Sequence, residues 1–300
     1  MSQYVTKIRT DKGDLPIDYN SLANLPTISN PNLLINGDFR INQRGANSYG
    51  QVNQWTYSVD RWKYIGLMTV TKNASGTVTL SKTNNSEFTY FAQTPEHING
   101  RAGVYTFSFK VKSISGVLSA YLDRGDGEIL TVTSAGVYHV TSNAYADSVI
   151  FRLDDTNTSV ELEWAKLEVG NTATAFSPRP YGEELELCKR YFSIMCGVRT
   201  SGVEQDYAAN MFMYAIPRHG VMRVTPTISI HGTTTTNSTD GICVRTIGCA
   251  IMPGFSFQYE VRSWELIIKA YSSTSLDKMC YETQLYMNDA FKIYLDAEIY

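Results

Sequence analysis

The chain has 300 residues, room for about two domains and a substantial core. Apolar residues make up 43% and charged residues 18%, a balance that excludes disorder over most of the length. A formal charge of -3 argues against nucleic acid as a partner, because phosphate binding needs a basic face. No run approaches ~18 apolar residues, and the start MSQYVTKIRT lacks the basic-then-apolar order of an export signal, so neither membrane insertion nor signal-driven secretion is expected.

Residues 1–31 are polar and turn-rich, with no sustained period of two or 3.6. They read as an N-terminal extended arm that either attaches to a partner or docks as a strand on its own domain. Between residues 32 and 180, short alternating runs lie among Gly, Asn, Asp and Ser clusters. Residues 105–112 (YTFSFKVK) alternate apolar with polar, which buries one face of a strand and wets the other. Similar runs occur at 76–80, 116–122, 128–133, 136–140, 148–153 and 159–167, with turn signals about every 8 to 12 residues, the spacing of a sandwich. Asp126-Gly127 marks a hairpin turn. The aromatics Phe39, Trp62, Phe107 and Trp164 are expected to plug the space between two sheets, and Asn36-Gly37 reads as a turn.

Residues 181–300 carry at their start the run Gly182–Phe192 (GEELELCKRYF), acidic first and basic later, the polarity that suits a short helix. Strands are predicted to follow at 207–216, 222–231, 242–247, 255–261, 264–271, 279–286 and 291–299, giving a second β-sandwich. The five cysteines (Cys188, Cys196, Cys243, Cys249, Cys280) all lie here without a C-x-x-C pair and read as reduced thiols, and the four scattered histidines give no zinc spacing.

Several segments, in their order, resemble the jelly-roll modules of bacteriophage tail fibres, which are similar in turn to carbohydrate-binding domains. They are Asn32-Leu33-Leu34-Ile35-Asn36-Gly37-Asp38-Phe39, then Asp60-Arg61-Trp62, the strand Val104-Tyr105-Thr106-Phe107-Ser108-Phe109, and Leu162-Glu163-Trp164-Ala165-Lys166-Leu167-Glu168-Val169-Gly170. The exit Ala175-Phe176-Ser177-Pro178-Arg179-Pro180 into Glu184-Leu185-Glu186-Leu187-Cys188 is similar to the joint before a fibre's C-terminal domain. Met222-Arg223-Val224-Thr225-Pro226-Thr227-Ile228 and the terminal Leu295-Asp296-Ala297-Glu298-Ile299-Tyr300 are similar to the ends of many tail-associated proteins. The resemblance covers residues 32–300. It implies an all-β homotrimer in the virion tail, held to tail or baseplate proteins by residues 1–31 and binding host-surface polysaccharide. A structural adaptor joining other fibre proteins and a glycan depolymerase are the alternatives.

Sugar recognition pairs aromatic faces with neighbouring polar groups. Trp55 and Tyr57, Tyr121 beside Asp123, and Tyr145 beside Asp147 meet that description, and half-buried aromatics on a sheet surface would look the same. The polar connection at 231–241, with Asn237 and Asp240, is either a binding loop or a bare hairpin tip. Carbohydrate-binding jelly rolls often hold calcium near the first and last strands, which directs attention to Asp38, Glu163 and Glu168. No G-x-S-x-G elbow, P-loop or selected carboxylate pair is present, so no catalytic residue is assigned.

Overall fold

The computed structural model of the chain describes residues 7–10, 13–16, 29–83, 89–96, 102–123, 128–144, 146–201, 204–206, 211–217, 222–231, 242–246, 251–252, 255–262, 265–272, 283–287 and 291–298. The architecture is nearly all β, as the alternation requires, with antiparallel sheets and, among the described residues, one helix. That helix is far too short and polar to cross a membrane.

Within the arm, β1 (Lys7–Thr10) and β2 (Gly13–Pro16) pair as a hairpin, Lys7 opposite Pro16 and Thr10 opposite Gly13. The arm, read from its sequence as extended, carries this short hairpin. Four residues per strand are too few for a period of two to stand out.

Twelve strands then build a jelly-roll-like sandwich. They are β3 (Ser48–Tyr49), β4 (Val52–Tyr57), β5 (Lys63–Gly66), β6 (Met68–Lys72), β7 (Val78–Lys82), β8 (Thr89–Gln93), β9 (Tyr105–Ser115), β10 (Leu118–Leu122), β11 (Leu130–Val132), β12 (Gly136–Ser142), β13 (Val149–Leu153) and β14 (Thr158–Val169). One sheet runs β11-β10-β13-β8-β5-β4 and the other β12-β9-β14-β7-β6-β3. β10 and β11 flank Asp126-Gly127, which itself lies outside the described residues.

Inward-facing residues of both sheets meet in one core. Its centre is aromatic: the Trp62 ring stacks on Phe91 at 4.9 Å, and Phe109 meets Phe151 edge-on at 5.0 Å. Phe39, Trp62 and Phe107 are fully buried, each stabilising the fold by a few (~2–3) kcal/mol. Trp164 departs from expectation. A bulge at Glu163 shifts the register of β14 on β9, so that Val160, Leu162, Ala165 and Leu167 face inward while Trp164 faces outward and stacks on Phe176 at 4.8 Å.

The Asn32–Phe39 segment is a lock on β14. Asn32 donates its amide to Ala165 O at 3.0 Å and accepts from the Leu167 N–H at 3.0 Å. Gly37 O accepts the Ala165 N–H at 2.7 Å, and a Cβ on Gly37 would stand 2.5 Å from Ala165 O, which is why the position needs glycine. Asn36 adopts φ 57° and is buried. Its amide donates to Ile41 O and Asp60 O, and its carbonyl accepts the Trp62 indole N–H at 2.9 Å.

Past the sandwich, α1 (Tyr181–Lys189) follows Pro180 with Glu183 and Glu184 in its first turn and Lys189 in its last, complementing the helix dipole. The remaining strands form three antiparallel sheets around a second core. They are β15 (Phe192–Met195), β16 (Arg199–Ser201), β17 (Glu204–Asp206), β18 (Met211–Pro217), β19 (Thr227–His231), β20 (Ile242–Thr246), β21 (Ile251–Met252), β22 (Phe255–Val261), β23 (Glu265–Ser272), β24 (Thr283–Met287) and β25 (Lys292–Asp296). Cys188 is a buried thiol and Cys196 an exposed one, both unbridged.

Two arginines of the sandwich clasp this second unit. Arg61 pairs with buried Glu298, donates to Thr94 O at 2.9 Å and lies 3.5 Å over the Tyr191 ring. Arg44 lies 3.9 Å over Phe192 and reaches Asp60 at 3.7 Å and Asp296 at 3.6 Å. Glu184 accepts the Asn36 N–H at 2.5 Å and the Arg179 guanidinium at 3.1 Å, tying the helix to the same loop.

Candidate functional site

A binding face needs exposed side chains on a rigid frame, so the two outer sheet faces decide where one can lie. On the β14 sheet, part of the outer face is already covered. Lys166 is buried and donates to Thr174 Oγ1 at 2.6 Å and Ala175 O at 3.0 Å, and Glu168 accepts from the Thr174 N–H at 2.9 Å. Ser29 donates to Ala175 O at 2.7 Å and closes the strap.

The other sheet presents an aromatic stripe. On β5 and β8, Tyr64 and Phe91 point into the core, so Lys63, Ile65 and Tyr90 point out. Trp55 of β4 joins them, half-buried, with its ring 6.3 Å from Tyr90 and the Lys63 ammonium 5.0 Å from its centroid. Arg152 of β13 stands opposite Tyr90 and lies 5.8 Å from the Tyr121 ring, which carries the stripe to β10. From β4 to β10 is four strand spacings, roughly 19 Å.

Beside the stripe is a recess of about 570 Å³ floored by Val52, Ile65 and Tyr90 and edged by Gln51, Asn53 and Gln54. It exists because β4 does not pair evenly with β5: a register irregularity lies between Val52 and Thr56. Asn53 and Gln54 are exposed there, so amide groups stand next to ring faces. Burial pulls the Lys63 ammonium below its ordinary pKa, with Arg61 adding to the effect and Glu298 opposing it, and burial pushes the Tyr121 phenol up.

The expected sugar contacts divide. Trp55 and Tyr121 share the stripe. Asp147 is half-buried at the same end as Tyr121, where its N–H donates to Asp123 O at 3.1 Å. Tyr57 is only 6% exposed, with Arg44 5.4 Å from its ring, which withdraws it from the open face. Tyr145, Asn237 and Asp240 lie outside the described residues. Tyr90, Lys63 and Arg152 went unread in the sequence. The signal for Tyr90 is its place between Thr89 and Phe91, which becomes outward once Phe91 is known to be core.

The calcium set does not assemble, and the residues present do not fit the ion. Asp38 is ion-paired with Arg40, Glu163 with Lys110 at 2.9 Å and Glu168 with Lys166 at 3.3 Å. Among the described residues no three His, Cys, Asp or Glu side chains converge on a metal position. Each carboxylate that the resemblance pointed to is instead paired with a cation of its own chain. No protein-family model matches the chain, and no curated protein matches it either.

Proposed function

We propose that the chain is a virion tail-fibre or tail-tip component that binds host-surface glycans, with the stripe Trp55–Tyr90–Tyr121 as its contact face. The observation that carries this reading is the juxtaposition of aromatic rings with exposed amides at an open recess, the pairing that sugar rings and their hydroxyls require. In this reading residues 1–31 attach to tail or baseplate proteins, and a homotrimer multiplies weak single contacts into firm attachment. The sandwich acts as a gripping part without a reactive centre.

The test is calorimetric titration of the purified chain with a panel of bacterial envelope polysaccharides, its mass followed by light scattering. At least one polysaccharide is expected to bind, and Trp55→Ala to weaken it about tenfold, ~1.4 kcal/mol, with the circular dichroism unchanged. Equal binding by wild type and Trp55→Ala sinks the contact face, and release of reducing ends marks a depolymerase instead.

The adaptor reading has one observation of its own. The clasp of Arg44 and Arg61 on Asp296 and Glu298 fixes the two units as a strut would. An adaptor is expected to capture another virion protein and to ignore every polysaccharide in the panel.

A further inference from the structure

A second recess, of about 440 Å³, opens where the loop before β3 meets the turn between β6 and β7. Arg40, Asn42, Asn47, Lys72, Asn73 and Gly76 line it. Its frame is fixed: the Lys72 N–H donates to Asn47 O at 2.9 Å, the Gly76 N–H to Asn73 O at 3.0 Å, and the Asn42 amide to Ala46 O at 2.7 Å. Gly76 has φ +94°, so the turn itself requires glycine.

Lys72 breaks the pattern of its strand. Met68 and Val70 precede it at a period of two, both fully buried, and its partner across the ladder is Val78, also fully buried. An apolar third residue would close the rim of the sandwich at this point. An ammonium stands there instead, its pKa drawn down by burial while the charge of Asp38 opposes. Among the described residues that ammonium has no hydrogen-bond or ion-pair partner. Asp38 is engaged by Arg40 Nε, and Arg40 Nη2 donates to Arg179 O at 2.7 Å. Two cations against one carboxylate leave the recess positive. Asn73 commits its Nδ2 to Thr77 and Thr79, which leaves its Oδ1 as an acceptor for hydroxyls, and Asn47 is exposed beside it.

We propose that this recess binds the carboxylate of an acidic sugar, with Lys72 as the selecting charge, Arg40 as the second donor and Asn47 and Asn73 on the hydroxyls. A half-buried ammonium whose nearest counter-charge, Asp38, is already engaged by Arg40 costs stability, and a bound carboxylate recovers it. The need for an anion stands on the recess alone; the choice of a sugar to carry it rests on the glycan reading above.

The test is an NMR titration of the full chain with glucuronate, glucose and inorganic phosphate. Glucuronate is expected to bind at least about tenfold more tightly than glucose, to lose about tenfold on Lys72→Gln, and to be unaffected by Trp55→Ala. Lys72→Met should raise the melting temperature while abolishing glucuronate binding, which separates ligand loss from misfolding. Equal affinity for glucose and glucuronate, or full affinity in Lys72→Gln or Lys72→Met, overturns the site. Phosphate binding as tight as glucuronate overturns the sugar assignment, and loss in Trp55→Ala overturns its independence. Failure of the glycan reading shows as no binding to any polysaccharide of the panel, whatever the glucuronate titration gives, so the two outcomes stay distinguishable.

Discussion

Asp60 stands where a carboxylate is hardest to keep charged. It is 1% exposed, and burial raises its pKa to about 6 against the opposing pull of Arg44 and of two hydrogen bonds from Gln43, with Glu298 adding to the rise. Glu298 is raised by burial as well, against Arg61 and Arg44. The folded chain therefore holds these protons at a pH where the unfolded chain has released them. Asp60 contributes most below its ordinary value near 3.8, and that contribution is lost as pH rises through about 6. Asp60→Asn should match wild type in unfolding free energy at pH 4 and exceed it at pH 7.5, by up to roughly 3 kcal/mol. A difference that stays flat across that range would contradict it. Gly37 makes a purely steric case: Gly37→Ala drives a Cβ into Ala165 O, a backbone atom that cannot swing aside, and should cost roughly 1–3 kcal/mol in urea denaturation.

At the scale of the strand, β14 shows how far period two reaches and where it stops. Its first half alternates as the sequence predicts, then one extra residue at Glu163 reverses the parity and turns Trp164 out. Alternation in β7, β10, β12 and β13 was legible because the ladders there are regular. β4 was not, since it pairs irregularly with β5. Trp55 could be singled out from its polar neighbours, but the partner that makes it a face, Tyr90, comes from a strand 35 positions on. The two tryptophans give the test. Trp62→Ala, which empties the centre of the core, should cost roughly 3–5 kcal/mol. Trp164→Ala should cost about 1 kcal/mol, because only its stacking on Phe176 and partial burial are lost. Equal losses in thermal melts would place Trp164 in the core after all.

For the molecule as a whole, the question is what makes two sandwich-like units one body. No local pattern announces it, because Arg61 and Glu298 are 237 positions apart and each reads as an ordinary surface charge. Together they are a buried ion pair, 4% and 0% exposed at the side chain, with Tyr191 beneath the guanidinium. Such a pair adds little net energy relative to an apolar contact, but losing one partner strands the other charge in low dielectric. Arg61→Ala should therefore cost roughly 3–5 kcal/mol. The loss should fall at the joint, since the guanidinium's partners Glu298 and Tyr191 both belong to the second unit. Protease sensitivity between Pro178 and Phe192 should rise while each unit keeps its own unfolding transition. The double variant Arg61→Met, Glu298→Leu should recover most of the loss, because it removes both charges and refills their volume. If the double variant is no better than Arg61→Ala, the joint is held by the Arg44 and Glu184 contacts, and the Arg61 pair is incidental to it.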